Sequence, residues 1–249
     1  MTMSALDSYS MFATVYDRLT ADVEYEKRCD YLEKIFKKHM DFHPNLMADL
    51  GCGTGSVCTI LSQKGYDMIG IDSSDMMLDI AQKKNSDGKI LYLNQDITEF
   101  ELFGTVDVFL SMLDTVNYIT ETGGIEKLFK LAHNYLNPDG IFIFDINSLY
   151  KFENILGNNT IVYETEDVFY TWENYYENEE LEFYLNFFVA QNDGSYKRFT
   201  EEHFQRYYSI EYLSEIASKY GFTVCGIYGD MTLEKPLDKE ERIFIVLKK

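Results

Sequence analysis

The amino-acid sequence predicts an α/β fold, a doubly wound and mostly parallel seven-stranded sheet with an antiparallel last strand, plus a small antiparallel β insertion. Short apolar runs alternate with amphipathic segments across residues 46–146, which is typical of parallel strands covered by helices. An aromatic, acidic stretch then interrupts this alternation, and two strand-like runs follow it. We therefore predict a main domain from residues 1–147 and 206–249, and an insertion from residues 148–205.

The elements of the main domain follow from the spacing of apolar residues. A helix is predicted over residues 22–39, where one apolar stripe has helical spacing and consists of Tyr25, Cys29, Leu32 and Phe36. Strands are predicted over residues 46–50, 68–72, 90–93, 106–111 and 140–146, and helices over residues 56–64, 74–84 and 124–136. The last of these helices runs into Asn137-Pro138-Asp139-Gly140, a sequence that stops helices and forms turns.

The insertion is predicted to contain three antiparallel strands, within residues 161–176, 181–191 and 195–208. Asn192-Asp193-Gly194 is a strong turn signal between the second and third segments. In the second segment apolar side chains alternate as one face of a strand requires, and they are Phe183, Leu185, Phe187 and Val189.

The C-terminal region predicts the direction of the last strand. A helix over residues 210–220 ends at Gly221, and strand-like runs cover residues 222–228 and 242–247. Only about a dozen residues without helical periodicity separate the two runs, whereas a parallel crossover needs a dozen or more and usually a helix. The last strand is therefore predicted to be antiparallel, which is not how an ordinary dinucleotide-binding domain ends.

Composition restricts the class of partner. The formal net charge is −20 and 46% of residues are hydrophobic, so the chain can bury a core but has no basic face for nucleic acid. The sequence contains neither a secretory signal nor an apolar run approaching the ~18 residues of a membrane span. Four scattered cysteines and four dispersed histidines predict reduced thiols in a cytoplasmic protein, with no metal site and no membrane partner.

The most informative motif is the glycine-rich turn after the first predicted strand. Gly51, Gly53 and Gly55 follow that strand, and Asp72 lies 21 positions after Gly51, at the end of the second strand. Glycines allow a sharp turn close to a ligand, and an acid at this spacing can bind the hydroxyls of a ribose. The NAD fingerprint G-x-G-x-x-G would place its third glycine at position 56, which is Ser56 here.

At these motifs the sequence resembles the class I S-adenosylmethionine-dependent methyltransferases, which have a Rossmann-like fold. The matching segments run in order over residues 48–147 and read ADLGCGTGS, GIDSSDMM, NQDITEF, VDVFLSMLDTVNYI and LNPDGIFIFDIN. An antiparallel last strand is also a feature of this family. The opening YSMFATVYD and the insertion resemble a subset that acts on small molecules and includes uncharacterised bacterial members.

The resemblance implies a set of residues that bind the donor S-adenosylmethionine. The set comprises Tyr16, Gly51, Cys52, Gly53, Asp72, Ser73, Met77, Asp96, Ile97, Met112 and Leu113. Asp72 would bind the ribose, Asp96 the adenine amino group, and Met77 and Ile97 the adenine ring. The alternatives are core packing for Met77, a helix N-terminal acid for Asp72 and a turn residue for Asp96.

Acceptor-facing residues are predicted after the fourth strand and in the insertion. They are Asp114, Asn117, Tyr118, Trp172, His203 and Arg206. Asp114 could instead cap a helix, and a lone histidine such as His203 is more often structural. Tyr9 and Tyr16 are candidates for closing over the sulfonium, which an aromatic face attracts.

The predicted function is methyl transfer from S-adenosylmethionine to a small soluble acceptor, at nitrogen or oxygen, with the insertion as a lid. Positioning supplies much of such a reaction, so no dedicated catalytic residue is assigned. The Glu177–Glu180 run is predicted to be a solvated hairpin tip, whereas acids such as Glu173 facing the pocket would favour a cationic acceptor. The alternatives are an NAD-type oxidoreductase and a non-catalytic protein of the same fold that binds the donor and a protein partner.

Overall fold

The structure, a computed structural model, describes residues 12–13 and 15–249. Residues 15–19 are helical, and a 3₁₀ turn at Ala21–Val23 precedes the first long helix. Five further α-helices follow in the described residues, α1 Tyr25–His39, α2 Ser56–Gln63, α3 Asp75–Lys84, α4 Gly124–Tyr135 and α5 Ile210–Lys219. No helix in this described part of the chain is long and apolar enough to cross a membrane.

Eleven strands form two sheets in the described residues. The strands of the large sheet are β1 Leu46–Leu50, β2 Asp67–Asp72, β3 Leu91–Asn94, β4 Val106–Ser111, β5 Leu136–Asn147, β10 Thr223–Gly229 and β11 Arg242–Lys248. The strands of the second sheet, here called the insertion sheet, are β6 Thr160–Glu164, β7 Val168–Glu177, β8 Glu180–Ala190 and β9 Tyr196–Arg206. Short helical segments at Thr115–Tyr118 and Lys151–Leu156 follow β4 and β5.

The large sheet has the order β10-β11-β5-β4-β1-β2-β3. Strands β1 to β5 pair in parallel, whereas β11 is antiparallel to both β5 and β10. The predicted fold class and antiparallel last strand are therefore confirmed. Strand order reverses between β1 and β4, and open α/β sheets bind ligands at the carboxyl ends of the strands beside such a switch point.

The predicted turn at residues 137–140 is part of a strand. Strand β5 begins at Leu136, directly after α4, and includes Asp139 in the left-handed region at φ 62°. Val106 pairs with Leu136 but Val108 pairs with Ile141, so the turn-forming residues make a bulge within the ladder. Helix α4 ends at Tyr135, next to its predicted end at residue 136. The turn-forming residues 137–140 that follow belong to strand β5 instead of forming a separate turn.

The insertion sheet has four antiparallel strands rather than the three predicted. The difference lies in residues 161–176, where the chain turns back at Thr165. The Thr165 amide donates to the Val168 carbonyl at 2.8 Å, and the Val168 amide donates to the Thr165 hydroxyl at 3.1 Å. This turn contains no glycine or asparagine, so the segment reads as one continuous strand.

Each face of the large sheet has its own buried cluster. One cluster packs α4 and α5 against the sheet, and the other packs α1 and α2. The stripe predicted on α1 is buried at Cys29, Leu32 and Phe36. A third cluster joins Val15 to the alternating apolar face of β8, so the N-terminal segment packs on the insertion sheet.

Candidate active site

The glycine-rich turn after β1 has left-handed backbone conformations at all three glycines, with φ of 76° at Gly51, 52° at Gly53 and 74° at Gly55. The amides of Gly51 and Cys52 both donate to the Ile71 carbonyl, at 2.8 and 3.0 Å, so β2 holds the turn. A Cβ at Gly53 would meet no atom of residues 12–13 and 15–249 within 4 Å. The backbone at Gly53 is therefore open to a ligand.

Replacing Gly51 with alanine is expected to destabilise the protein by about 1–3 kcal/mol. A Cβ at this position would lie 2.3 Å from Cγ2 of Thr115, on a backbone that L-residues rarely adopt. Chemical denaturation of Gly51→Ala and the matched control Gly53→Ala measures the difference, since both positions have positive φ but only Gly51 lacks space. The double variant Gly51→Ala/Thr115→Ser should recover part of the loss. Equal stability of the two alanine variants would contradict this account.

Asp72 connects the glycine turn to the start of α3. Its Oδ2 accepts from the Gly53 amide at 2.8 Å and its Oδ1 from the Ser74 amide at 2.9 Å. Burial raises the pKa of Asp72, and the backbone hydrogen bonds partly oppose this effect. A carboxylate oxygen can accept two hydrogen bonds, and each oxygen of Asp72 accepts one of these two, so both retain capacity for a ligand. The role at the helix start and a binding role are therefore compatible.

A cavity of about 780 Å³ opens at the carboxyl edge of the large sheet and is lined by residues of both sheets. All the residues predicted to bind the donor line this cavity, namely Tyr16, Gly51, Cys52, Gly53, Asp72, Ser73, Met77, Asp96, Ile97, Met112 and Leu113. Four predicted acceptor residues also line it, namely Asp114, Tyr118, Trp172 and His203. Tyr9 lies outside the described residues.

Two predicted acceptor residues have other positions. Asn117 is fully buried, its Oδ1 accepting from the Asn147 amide at 2.9 Å and its Nδ2 donating to the Arg206 carbonyl at 2.8 Å. The Arg206 side chain lines a separate cleft of about 380 Å³, beside the start of α4. Neither residue lines the large cavity. The Asn117 side chain bonds to the backbone of both β5 and β9, and Arg206 is the last residue of β9.

Asp96 stabilises a turn and also lines the cavity. Its Oδ1 accepts from both the amide and the hydroxyl of Thr98, each at 2.7 Å, which is a turn-stabilising arrangement. It also lines the cavity. The turn therefore fixes the carboxylate at the cavity wall.

The two acidic features of the insertion differ from one another. Glu173 accepts hydrogen bonds from Asn186 and Thr171 at 3.2 and 3.4 Å, on the opposite face of β7 from Trp172. It therefore does not support a cationic acceptor. Residues 177–180 form an exposed turn between β7 and β8, so the predicted hairpin tip is confirmed.

An ion cluster that sequence reasoning missed lies at the cavity floor. Arg242 bonds Asp114 at 2.6 Å and also pairs with Asp145, which is fully buried. The Asp145 carboxylate accepts hydrogen bonds from the backbone amides of Leu113 and Asp114, at 2.9 and 2.6 Å. Leu113 and Asp114 both have positive φ, at 58° and 55°. The cluster therefore stabilises the turn after β4.

The cluster determines the state of Asp114. Burial alone would raise the pKa of Asp114, but the charge of Arg242 outweighs it and holds the pKa below its usual value. Although Asp114 precedes a 3₁₀ helix, its side chain makes no cap hydrogen bond. Asp114 therefore has the N-cap position of that helix, but its side chain bonds to the ion cluster instead of capping it.

A hydrogen-bond relay extends from Asp114 to Asn147. Gln205 Nε2 donates to Asp114 Oδ2 at 2.7 Å, and Asn147 Nδ2 donates to Gln205 Oε1 at 3.2 Å. The carboxylate can only accept, so it fixes the orientation of both amides. Asn147 is 2% exposed and lines the cavity, and its Oδ1 has no hydrogen-bond partner within the part of the chain that the structure describes.

The inner face of the insertion sheet is aromatic where it lines the cavity. Phe183 lies between Trp172 and His203, with ring centroids 5.6 and 5.0 Å away, and is stacked on His203. Trp172 Nε1 and His203 Nε2 are buried and have no hydrogen-bond partner among the described residues. An apolar wall with two unsatisfied polar atoms is typical of a small-ligand site.

His203 is expected to make stability fall with acid. Burial lowers its pKa to about 4, so between the unfolded pKa near 6.5 and about 4 the unfolded state binds a proton that the folded state does not. The unfolding free energy of the native protein should therefore fall between about pH 7 and pH 4.5. Chemical denaturation at these two pH values should show that this fall is smaller by roughly 2 kcal/mol in His203→Phe. The same pH dependence in the variant and the native protein would contradict the burial of a neutral imidazole.

The N-terminal segment is bonded to the main domain beside the glycine turn. The Thr54 hydroxyl donates to Asp17 Oδ1 at 2.6 Å, and Lys84 pairs with Asp17 Oδ2 at 2.6 Å. These contacts place Tyr16 in the cavity wall. Tyr16, predicted to close over the donor, therefore has its position in the cavity wall fixed by two contacts of its neighbour Asp17.

Comparison with known proteins identifies the family. A methyltransferase domain family matches residues 47–140. A relative from Geobacillus sp. (strain WCH70), named as a methyltransferase, is 32% identical over 246 residues, which cover 97% of this chain and 100% of the relative. YqeM of Bacillus subtilis (strain 168), also named as a methyltransferase, is 32% identical over 245 residues, or 97% of each chain.

A solved structure extends the likeness to the whole fold. The crystal structure of a S-adenosylmethionine-dependent methyltransferase from Clostridium acetobutylicum has a TM-score of 0.88 and 34% identity, covering 96% of this chain and 98% of that chain. These likenesses exclude the oxidoreductase alternative and confirm an enzyme whose cofactor is S-adenosylmethionine. The chain belongs to the class I S-adenosylmethionine-dependent methyltransferases.

Proposed function

We propose that the protein methylates a small soluble acceptor, at nitrogen or oxygen, in the cytoplasm. Residues 148–205 act as a lid over the domain formed by residues 1–147 and 206–249. The observation that carries this proposal is the cavity of about 780 Å³ shared by the glycine turn and the insertion sheet. Its volume lies in the range of small-ligand pockets. The four free cysteines support the cytoplasmic assignment.

The residues present fit S-adenosylmethionine, which supplies an electrophilic methyl group on a sulfonium. The open backbone at Gly53 suits the methionine end, and the free lone pairs of Asp72 suit two ribose hydroxyls. Asp96, Ile97 and Met77 would hold the adenine. The remaining donor residues are Tyr16, Gly51, Cys52, Ser73, Met112 and Leu113, all of which line the cavity.

The chain's own contribution to catalysis is positioning and exclusion of water. Holding two reactants in a productive arrangement lowers the activation free energy by roughly 7–11 kcal/mol through proximity alone. The aromatic face of the insertion sheet excludes water, and Asn147 Oδ1 and Trp172 Nε1 supply one acceptor and one donor. Such groups bind polar heteroatoms, which supports methylation at nitrogen or oxygen rather than carbon.

The proposal is tested with S-adenosylmethionine that carries a tritiated methyl group. The protein is incubated with it and a cell extract, the reaction is divided by dialysis through a small-pore membrane, and the dialysable fraction is resolved by chromatography from unreacted S-adenosylmethionine. We expect a labelled product peak other than the donor in the dialysable fraction, and with the control variant Asp72→Ala no more of it than the extract gives alone. Label confined to retained protein or nucleic acid would overturn the assignment of a small acceptor.

A further inference from the structure

The large cavity carries more acidic than basic side chains. Among the described residues that line it, the acids are Asp49, Asp72, Asp96, Asp114 and Glu121, and the bases are Lys151 and Arg242. Burial raises the pKa of Asp49 to about 7, so this carboxyl is partly protonated at neutral pH. The remaining acids still outnumber the bases, so the cavity favours a positive ligand over a negative one.

Neither basic side chain has charge to spare. Arg242 bonds Asp114 and also pairs with Asp145. Burial, and then the charge of Arg242, lower the pKa of Lys151. Three carboxylates act on Lys151 in the opposite sense, those of Asp114, Glu241 and Asp145. The two cations therefore belong to one group with these carboxylates, and that group has no surplus of positive charge.

One part of the cavity lining, here called the aromatic wall, consists of Phe12, Tyr16, Tyr118, Trp172, Phe183 and His203. The His203 ring lies in its middle, with the ring centroids of Phe12, Tyr118 and Phe183 at 5.7, 5.9 and 5.0 Å. Burial lowers the pKa of His203 to about 4, so the imidazole is neutral at neutral pH. None of the cation–π pairs found in the described residues includes a ring of the wall. The wall therefore has rings that a cationic ligand could occupy.

The aromatic wall is longer than one cation needs. Tyr16 is in ring contact with Phe12 at 5.5 Å, and Trp172 with Phe183 at 5.6 Å. Within the described residues no ring contact joins Tyr16 to Trp172 directly, because Phe12, His203 and Phe183 form the chain between them. A ring attracts a cation within about 6 Å of its centroid. A donor sulfonium beside Tyr16 therefore leaves the Trp172 end of the wall for a second group.

Polar groups adjoin the aromatic wall at His203. Gln205 lies two residues after His203 on β9, and so on the same face of that strand. Gln205 connects Asp114 to Asn147, whose Oδ1 is an acceptor without a donor among the described residues. Desolvation and the Asp114 charge raise the pKa of Tyr118, so this carboxylate lies near a ring of the wall. An N–H group that carries positive charge would suit both the free amide oxygen and the carboxylate.

We propose that the methyl acceptor is an amine, held between the aromatic wall and the carboxylate of Asp114 and methylated at its nitrogen. This inference rests on the proposed function, which it deepens by naming the substrate class. The amine reacts as the free base. Its lone pair forms the bond to the methyl carbon, and the carbon–sulfur bonding pair stays on sulfur. The positive charge therefore passes from sulfur to nitrogen, and the methylated ammonium afterwards loses a proton to water.

The chain's own residues favour an amine over the other acceptors. Aromatic rings beside the nitrogen stabilise the charge that develops there during the transfer, and no base is needed for that step. An alcohol must lose its proton to become a strong nucleophile, and His203, with a pKa of about 4, is a weak base at neutral pH. A carboxylic acid would add negative charge to a cavity that is already acidic. Glu173 takes no part, since it lies on the opposite face of β7 from Trp172.

The test compares two probes of one shape and different charge. Protein saturated with S-adenosylhomocysteine is titrated with choline, which stands for the methylated ammonium, and with 3,3-dimethylbutan-1-ol, in which carbon replaces the nitrogen. Binding is followed by NMR through the indole N–H resonance of Trp172, the single tryptophan of the sequence. We expect choline to bind at least about tenfold more tightly than the neutral alcohol.

Variants of Tyr118 test whether the aromatic wall causes this preference. Tyr118 is 44% exposed, so its replacement should leave the fold intact. Tyr118→Leu should reduce the preference for choline at least about threefold, whereas Tyr118→Phe should keep it. The matched control is Tyr175→Leu, which removes an exposed tyrosine from the outer face of the insertion sheet and should change nothing.

Three results would overturn the inference. These are the neutral alcohol binding as tightly as choline, a preference that Tyr118→Leu leaves unchanged, and a Trp172 resonance that neither probe moves. The preceding titration with S-adenosylhomocysteine separates the two proposals. If it binds and choline is not preferred, only the amine is wrong; if it does not bind, the proposed function itself fails.

Discussion

Replacing Arg242 with methionine is expected to cost about 3–5 kcal/mol of unfolding free energy. Arg242 is the partner of Asp114 and of the fully buried Asp145. Its removal leaves both carboxylates without their cation and loosens the turn at Leu113 and Asp114. Urea denaturation measures the loss. The control is Arg198→Met, since Arg198 is an exposed residue of the insertion sheet and should change stability little.

The effect of Arg242→Met should depend on pH. In the native protein the low pKa of Asp114 contributes stability that is present above its unfolded pKa, near 3.9, and is lost as the pH falls through the folded pKa. Without Arg242, protonation of the carboxylate relieves the uncompensated charge. The stability gap between variant and native protein should therefore narrow as the pH falls toward about 4. An equal gap at neutral and acidic pH would show that the loss has another cause.

Replacing Asp72 with alanine is expected to weaken S-adenosylhomocysteine binding by about a hundredfold or more. Two hydrogen bonds from ligand hydroxyls to a carboxylate are worth roughly 1.5–3 kcal/mol each. The change also releases the amides of Gly53 and Ser74, at 2.8 and 2.9 Å in the native protein. Isothermal titration calorimetry measures the dissociation constant.

Two matched variants make the Asp72 result specific. Asp79→Ala removes an exposed carboxylate of helix α3, which follows Asp72, and should bind as the native protein does. Asp72→Asn keeps the shape of the side chain but loses its charge, so its affinity should be intermediate. Native affinity in Asp72→Ala would exclude the carboxylate from the donor site.

The cavity lining around the glycine turn could be predicted because its residues are local in sequence. The turn from Gly51 to Gly55 follows one strand and Asp72 ends the next, so the carboxyl edge of a parallel sheet brings them together. The short connection before Arg242 likewise predicted the antiparallel last strand. These features depend on spacing, which a single sequence contains.

The cavity floor could not be predicted, because its residues meet only through long-range pairing. Arg242 reaches Asp145 because β11 pairs with β5, and Gln205 reaches Asp114 from the insertion sheet. No local pattern around these residues indicates their partners. Asn117 shows the converse, because it follows the fourth strand as an acceptor residue should, but its side chain bonds to the backbone instead.

Where two roles were predicted for one acid, the structure gives different answers. Asp72 serves the start of α3 and lines the cavity, and Asp96 stabilises a turn at the cavity wall. Asp114 serves an ion cluster instead of a helix cap. A structural hydrogen bond therefore does not argue against binding, since it fixes the carboxylate that a ligand would meet.

The most direct measurement is a crystal structure of the protein grown with S-adenosylhomocysteine. The account predicts that the ribose hydroxyls lie within hydrogen-bond distance of the Asp72 carboxylate, and that the amino-acid end contacts the backbone at Gly51 and Gly53. Density for the ligand at any other place, or an Asp72 carboxylate without contact to the ribose, would contradict the donor site described for this chain.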